Sequence, residues 1–357
     1  MADDPCPPRP GPKRARAALA FGAALFAAGQ LGLTATVELA VPGVRDPEYG
    51  AKLGRLRRCL DAAPGRPLVL FMGTSRTFNG LDPAELAPVT AGPAPVAFNF
   101  AQTGAGPLFQ LVLLRRLLAR GIRPAHVFLE VLPPHLLFEG EAALLLDHRR
   151  VGWGDWPVLA RYWPAGRSRA GWWAGGLVPA WSDKEQFLAL AAPRLEPSGA
   201  AALRAYFARV GADGFLAFAH RSVTAREYAR GLALAHQEYA WLMGRAHLSR
   251  DALRALREFL ELCRARGIGV TLVLMPEASA FRGWWSPGAW RQARDCLEGL
   301  CRDYGLALVD AGRWADDADF ADGHHLLPVA ATAFSRRFGR EVYGPFLRRE
   351  IARGPGL

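Results

Sequence analysis

The chain has 357 residues, of which 51% are hydrophobic, so it can bury a substantial core and is not disordered throughout. Its formal charge of +11 is carried almost wholly by arginine, with lysine only at Lys13, Lys52 and Lys184. The arginines are scattered among Ala and Gly and no zinc-finger or other nucleic-acid signature accompanies them, so the charge does not argue for a nucleic-acid partner.

Residues 1–16 are rich in Pro and charge and are expected to form a disordered basic cytoplasmic tail ending in Lys13, Arg14 and Arg16. Residues 17–37 then run without a charge. At ~1.5 Å per residue such a stretch is long enough to cross a ~30 Å hydrocarbon core. The basic flank keeps the tail in the cytoplasm and exports the rest, which makes the segment a signal anchor. A cleaved signal peptide is the competing reading, although no convincing Ala-x-Ala site precedes Glu38. Residues 38–63, with Pro42, Gly43, Pro47 and Gly50 before a basic helix-like piece, read as a linker.

Leu68–Met72 is an uninterrupted apolar run, as expected of a strand buried on both faces of a parallel sheet. It stops at Gly73, and Thr74, Ser75 and Arg76 open a turn or helix through Asn79 and Gly80. Ligands bind beyond the carboxyl ends of such strands, so Ser75 stands where a nucleophile is useful, although serine there often only caps a helix. After a short helix from Asp82 to Leu86 and a Pro-rich loop, a second strand is predicted over Val96–Phe100. Gln102-Thr103-Gly104-Ala105-Gly106-Pro107 follows it, with glycines that let backbone amides approach a ligand ahead of a helix over Leu108–Arg120. A third strand runs from Ala125 to Leu132, with Glu130 inside it expected to pair with an arginine.

From about residue 136 to 248 the strand and helix alternation fails. Six tryptophans, at 153, 156, 163, 172, 173 and 181, lead into helical segments near Glu185–Ala192, Ala200–Val210 and Ala225–Trp241. This stretch reads as an inserted lid whose aromatic residues stack on sugar, lie at a membrane interface or fill an irregular core. Regular order returns with Ser249 capping a helix over Arg250–Arg266, a strand over Ile268–Met275 and a helix over Pro287–Tyr304. The last strand is Leu306–Asp310, and a closing helix spans Val329–Arg349.

Between those last two elements stands Asp322-Gly323-His324-His325. An aspartate three residues before a histidine can hold the imidazole in one tautomer while its other nitrogen faces a hydroxyl, which is the base that Ser75 lacks. His324 is the alternative base. The loop aspartates Asp316, Asp317 and Asp319 lack calcium-loop spacing, and the cysteines Cys6, Cys59, Cys263, Cys296 and Cys301 lack metal-ligand spacing, so no metal and no cofactor are expected. One or two disulfides, for example from Cys59, are conceivable in an exported domain.

Gly73-Thr74-Ser75 followed by the Asn and Gly block and by Asp322-x-x-His325 resembles the SGNH (GDSL-like) hydrolase superfamily. With Thr74 in place of the usual Asp and an N-terminal apolar segment, it is similar to the membrane-anchored branch of alginate O-acetyltransferase-like and D-alanine transfer proteins. The resemblance covers roughly residues 64–138 and 249–350. It implies a three-layer α/β/α sandwich with a mainly parallel sheet, flavodoxin-like in type, over residues 64–357, with the helical Trp-rich insertion at 136–248. It further implies Ser75 as nucleophile, His325 as base and Asp322 as its orienting partner. The amides of Ser75 and Gly104 would form the oxyanion hole, with Gly106 the near alternative to Gly104. Where the family carries Gly-x-Asn-Asp, this chain has Leu132-Pro133-Pro134-His135, so a third donor is missing unless Gln102 or His135 replaces it. Arg76, Asn79, Gln102, His135 and His324 are the candidate substrate contacts. The implied activity is that of an extracytoplasmic serine esterase or O-acyltransferase acting on an ester, acetyl by resemblance, of a cell-surface polysaccharide, the partner being that polysaccharide or another acylated small substrate. The alternative is a catalytically inactive SGNH-like envelope protein that binds glycan or a partner.

Overall fold

The computed structural model describes residues 12–41, 43–86, 94–137, 150–162, 184–192, 198–240 and 247–352. The first half of the chain contains α1 (Pro12–Leu39), α2 (Pro47–Asp61), β1 (Leu68–Met72), α3 (Ser75–Gly80), β2 (Val96–Asn99), α4 (Pro107–Ala119), β3 (His126–Glu130) and the single turn α5 (Trp156–Leu159). Then come α6 (Lys184–Ala191), α7 (Ser198–Ala208), α8 (Ala225–Tyr239), α9 (Arg250–Ala265), β4 (Gly269–Leu274) and α10 (Ser279–Gly283). The chain continues through α11 (Pro287–Tyr304), β5 (Ala307–Asp310), α12 (Pro328–Phe338), a π-turn over Gly339–Tyr343 and α13 (Gly344–Ala352).

The protein is α/β, with one five-stranded sheet in the order β2-β1-β3-β4-β5 and every pairing parallel. Side chains of each strand alternate between two cores. Leu68, Leu70 and Met72 of β1 join Val127, Leu129 and Leu272 on one face, under α2, α4, α9 and α11. Val69 and Phe71 join Phe128 and Val273 on the other, under α12 and α13. Burial on both faces explains why these strands read as continuous apolar runs. The edge strand β5 departs from this, with Ala307 and Asp310 exposed.

The order of the strands reverses at β1 and β3, because the chain steps from β1 outward to β2 and then back across to β3. In open parallel sheets this switch point leaves a crevice beyond the carboxyl ends of the two strands. Ser75 follows β1 at that point.

α1 is long and apolar enough to cross a membrane, and only 11% of its apolar window is buried against the rest of the chain. Leu19, Phe21, Leu25 and Phe26 lie exposed along it, which water disfavours and hydrocarbon does not. Within residues 38–63, read as a linker with a helix-like piece, α2 contributes Tyr49, Leu53 and Leu56 to the core. Lys52 within it is fully buried, donating to Asn99 O at 3.2 Å and to Ala101 O, with its ammonium 3.6 Å from the centre of the Phe78 ring. Burial holds its pKa well below the usual lysine range. Cys59, Cys263, Cys296 and Cys301 are free thiols, against the disulfides considered from the sequence, and Cys6 lies outside the described residues.

The insertion divides into two parts. Residues 150–162 lie along α4, where Arg116 bonds Asp155 at 2.6 Å and Trp153 and Trp156 pack against the core. Trp163, Trp172, Trp173 and Trp181 lie outside the described residues. Residues 206–239 instead cover the carboxyl edge of the sheet. Asn99 N donates to Asp213 O at 2.8 Å, and α8 crosses the loop before α12 at Gly231, where an added Cβ would lie 3.0 Å from Ala321 O and 3.1 Å from Asp322 Cβ.

Candidate active site

Between Leu68 and Leu81 every residue is buried except Ser75. The turn that presents it is set by Gly73, at which a Cβ would lie 2.6 Å from Glu130 Cβ and 2.7 Å from Thr77 Oγ1, and closer still to Glu130 Oε2. Only glycine lets β1 pass that close to the end of β3. Glu130 then clamps the turn: its carboxylate accepts from Thr74 N at 2.8 Å, Thr74 Oγ1 at 3.0 Å and Thr77 Oγ1 at 2.6 Å. Thr74 Oγ1 accepts in turn from Arg76 N at 3.2 Å and caps α3. Of the amides opening α3, Ser75 N alone donates to no protein acceptor among the described residues.

The loop from β5 to α12 brings the second half of the site across the sheet. It is tied down by Ala278 N donating to Gly323 O at 3.0 Å and Ala321 N to His325 O at 2.9 Å. α12 then packs on α3, where Ser335 Oγ accepts from Asp82 N at 2.8 Å. As a result His325 Nε2 lies 2.8 Å from Ser75 Oγ, and His325 Nδ1 lies 2.8 Å from Asp322 Oδ2. Asp322 Oδ1 also accepts from His325 N at 2.9 Å and His324 N at 3.2 Å. A carboxylate can only accept, so the ring proton is assigned to Nδ1 and the lone pair at Nε2 faces the serine hydroxyl. Burial raises the Asp322 pKa, but the hydrogen bond and charge of His325, with His324 beside it, outweigh this and hold the carboxyl well below its usual range. Phe218 stacks on the His325 ring with 5.5 Å between centroids.

Gly104 is exposed with φ +67°, in the left-handed region that favours glycine, and its amide donates to no acceptor among the described residues. Gly106 N by contrast donates to Gly104 O at 2.9 Å, so its amide is already taken.

The five residues expected as substrate contacts are all buried, and each is engaged within the protein. Arg76, 2% exposed, donates to Met275 O and Pro276 O and pairs with Glu277 at 3.0 Å and Glu130 at 3.8 Å. Guanidinium buried so deeply requires these partners and has no reach into solvent. Asn79 is buried and donates to Leu216 O at 2.6 Å, fastening the segment that follows α7. Gln102 is buried, its Oε1 accepting from Arg150. His135 is buried, and burial, with Arg76 nearby, lowers its pKa to about 4, so it is neutral. His324 is buried, held neutral mainly by that burial, and stacks on Phe281 at 5.3 Å between centroids. It touches Asp322 at 3.3 Å without a hydrogen bond, whereas His325 reaches the serine.

Asp322, His324 and His325 also bring three donor atoms within 4.8 Å of one another. Both nitrogens of His325 are engaged by Asp322 and Ser75, which is the arrangement of a proton relay. The loop aspartates serve local caps: Asp317 accepts from Ser279 N at 2.6 Å and Asp319 from Asp316 N at 2.9 Å. The sequence reading missed Glu130 as the clamp of the serine turn, Glu277 as the counter-charge of Arg76, and Phe218 on the imidazole. Glu130 and Glu277 sit at the carboxyl ends of apolar strands, where a lone carboxylate signals a buried partner.

No family model matches the chain, and no curated protein matches it.

Proposed function

We propose that the protein is a serine esterase or O-acyltransferase of the SGNH type, its domain a flavodoxin-like three-layer sandwich. The observation that carries this reading is the continuous chain from Ser75 Oγ through His325 to Asp322, 2.8 Å at each link. Ser75 Oγ attacks an ester carbonyl while Nε2 of His325 takes the hydroxyl proton. The imidazolium is stabilised by the ionised Asp322, and the oxyanion is received by the amides of Ser75 and Gly104. His325 returns the proton to the leaving oxygen, giving a neutral alcohol and an acyl-serine. Water or a sugar hydroxyl, deprotonated by the same nitrogen, then takes the acyl group and frees Ser75. The acyl group is small, acetyl by the family resemblance, and the substrate a cell-surface polysaccharide. α1 serves as a single-pass anchor, with the basic flank at Lys13, Arg14 and Arg16 on the cytoplasmic side and the domain outside.

The test is release of acetate from acetylated polysaccharide, or its transfer to an added glycan, by the full chain and by Ser75→Ala. Turnover lost in the variant supports the reading, and turnover retained overturns it. The second reading, an inactive envelope protein of the same fold, is favoured by Leu132-Pro133-Pro134-His135 standing where the family carries a third donor. Absent one such donor, the rate falls by about 10²- to 10³-fold. Glycan binding without turnover in the unmodified chain decides for it.

A further inference from the structure

A cavity of about 650 Å³ lies away from the serine, bounded by the last residues of α1, by α2 and α4, and by the segment 150–158. This is within the range of small-molecule sites, and its lining is strongly cationic: seven arginines against the carboxylates of Glu38, Asp46 and Asp155. Three of the arginines are committed to acids. Arg116 bonds Asp155 at 2.6 Å, Arg150 bonds Asp46 at 3.1 Å, and Arg45 bonds Glu38 at 3.1 Å. The other four, Arg57, Arg115, Arg120 and Arg266, pair with no carboxylate among the described residues. The site has unfilled hydrogen-bonding capacity as well. Arg45, whose side chain is 10% exposed, keeps Nε and Nη2 buried without an acceptor, and the buried hydroxyl of Tyr49 has no partner. Glu38 Oε1 and Asp46 Oδ2 on the same wall also make no hydrogen bond but face the charges of Arg45 at 3.1 Å and Arg116 at 3.7 Å, whereas the Arg45 and Tyr49 donors face no such partner. Buried donors are ordinarily satisfied, so these point to an absent acceptor.

The position of the cavity identifies that acceptor. Val37, Glu38 and Leu39 line it and are the final residues of the candidate span Lys13–Leu39. On the membrane reading of α1 the apolar helix leaves the hydrocarbon there, at the depth of lipid phosphates, where arginines are attracted to an anionic surface. Arginine forks also match phosphate oxygens in geometry. We propose that this cavity binds the phosphate of an anionic phospholipid headgroup and so seats the domain against the bilayer. The inference rests on the membrane reading of α1 and is independent of the Ser75 chemistry, since lipid binding and ester turnover are read separately.

The test uses the full-length chain in neutral-detergent micelles, following thermal unfolding while dihexanoyl phosphatidylglycerol is added. Saturable stabilisation is expected, with at least about a tenfold rise in the half-saturating concentration for the Arg120→Gln and Arg266→Gln double variant. Arg120→Lys with Arg266→Lys should keep most of the response, and Arg226→Gln, exposed and elsewhere, all of it. An unchanged response in the glutamine variant, or an equal response to dihexanoyl phosphatidylcholine, overturns the proposal. So does inorganic phosphate acting at the same concentration as the lipid, which marks a free-anion site. A response to a polyuronate with none to the lipid overturns it in favour of an acidic glycan.

Discussion

The two sides of the candidate site are built to different standards. On the proton-relay side, Ser75, His325 and Asp322 are joined by two 2.8 Å hydrogen bonds, and Asp322 is further fixed by two backbone amides. On the side that the proposed mechanism needs to receive a negative oxygen, Ser75 N and Gly104 N are amides with no acceptor among the described residues, while the residues that end β3 are apolar or buried. The hydrogen-bonded chain is drawn together from opposite ends of the sequence by the packing of α12 on α3. Gly104 instead sits in an exposed turn at φ +67°. The difference teaches that the hydrogen-bonded chain and the free Gly104 amide of the proposed site rest on different elements, so the two can be broken separately.

The largest effects should come from the relay. Ser75→Ala or His325→Ala is expected to lower ester turnover by at least about 10⁴-fold with an unchanged circular dichroism spectrum, and the double variant should lose little more, because the groups act as a unit. Asp322→Asn should cost about 10⁴-fold by favouring the wrong tautomer. Glu130→Ala attacks the base both sides share: it leaves Arg76 with one counter-charge and the serine turn unclamped, at a cost of about 3–5 kcal/mol in denaturant unfolding. Gly104→Ala keeps the amide but forces a side chain into the left-handed region, at about 1–2 kcal/mol, and should lower turnover about tenfold while leaving binding of a serine-directed probe in place.

The smallest effect lies outside both sides and gauges them against the background. Burial and the neighbouring Asp213 raise the Asp82 pKa from 3.8 to about 7. The folded state therefore binds that proton more tightly than the unfolded chain, and stability attributable to it is lost as pH rises from 3.8 through 7. Asp82→Asn should raise the melting temperature slightly above pH 7, and the gain should vanish below pH 3.8, as thermal unfolding across pH will show.

Much of this was legible in the sequence where the physics is local. Leu68–Met72 reads as a strand because nothing polar interrupts it, and the helices starting at Arg250 and Pro287 follow the caps Ser249 and Ser286, whose hydroxyls accept from Ala252 N and Ala289 N. Asp322 and His325 were legible as a pair because their spacing lets one turn join them. What could not be read is what depends on distant partners. Lys52 and Arg76 look like surface cations until Asn99, Ala101, Glu130 and Glu277 are seen around them, and a buried charge is tolerable only with such company. The position of α8 over Asp322 depends on Gly231 and Gly323 meeting at one crossing, which no periodicity announces.

The most direct measurement is adduct formation by a fluorophosphonate on the full-length chain, located by mass spectrometry of the digest. A hydroxyl activated by its neighbouring imidazole should yield a single adduct on Ser75, much slowed in His325→Ala and absent in Ser75→Ala. Wild-type protein that stays unlabelled, or that labels equally fast without His325, would contradict the account.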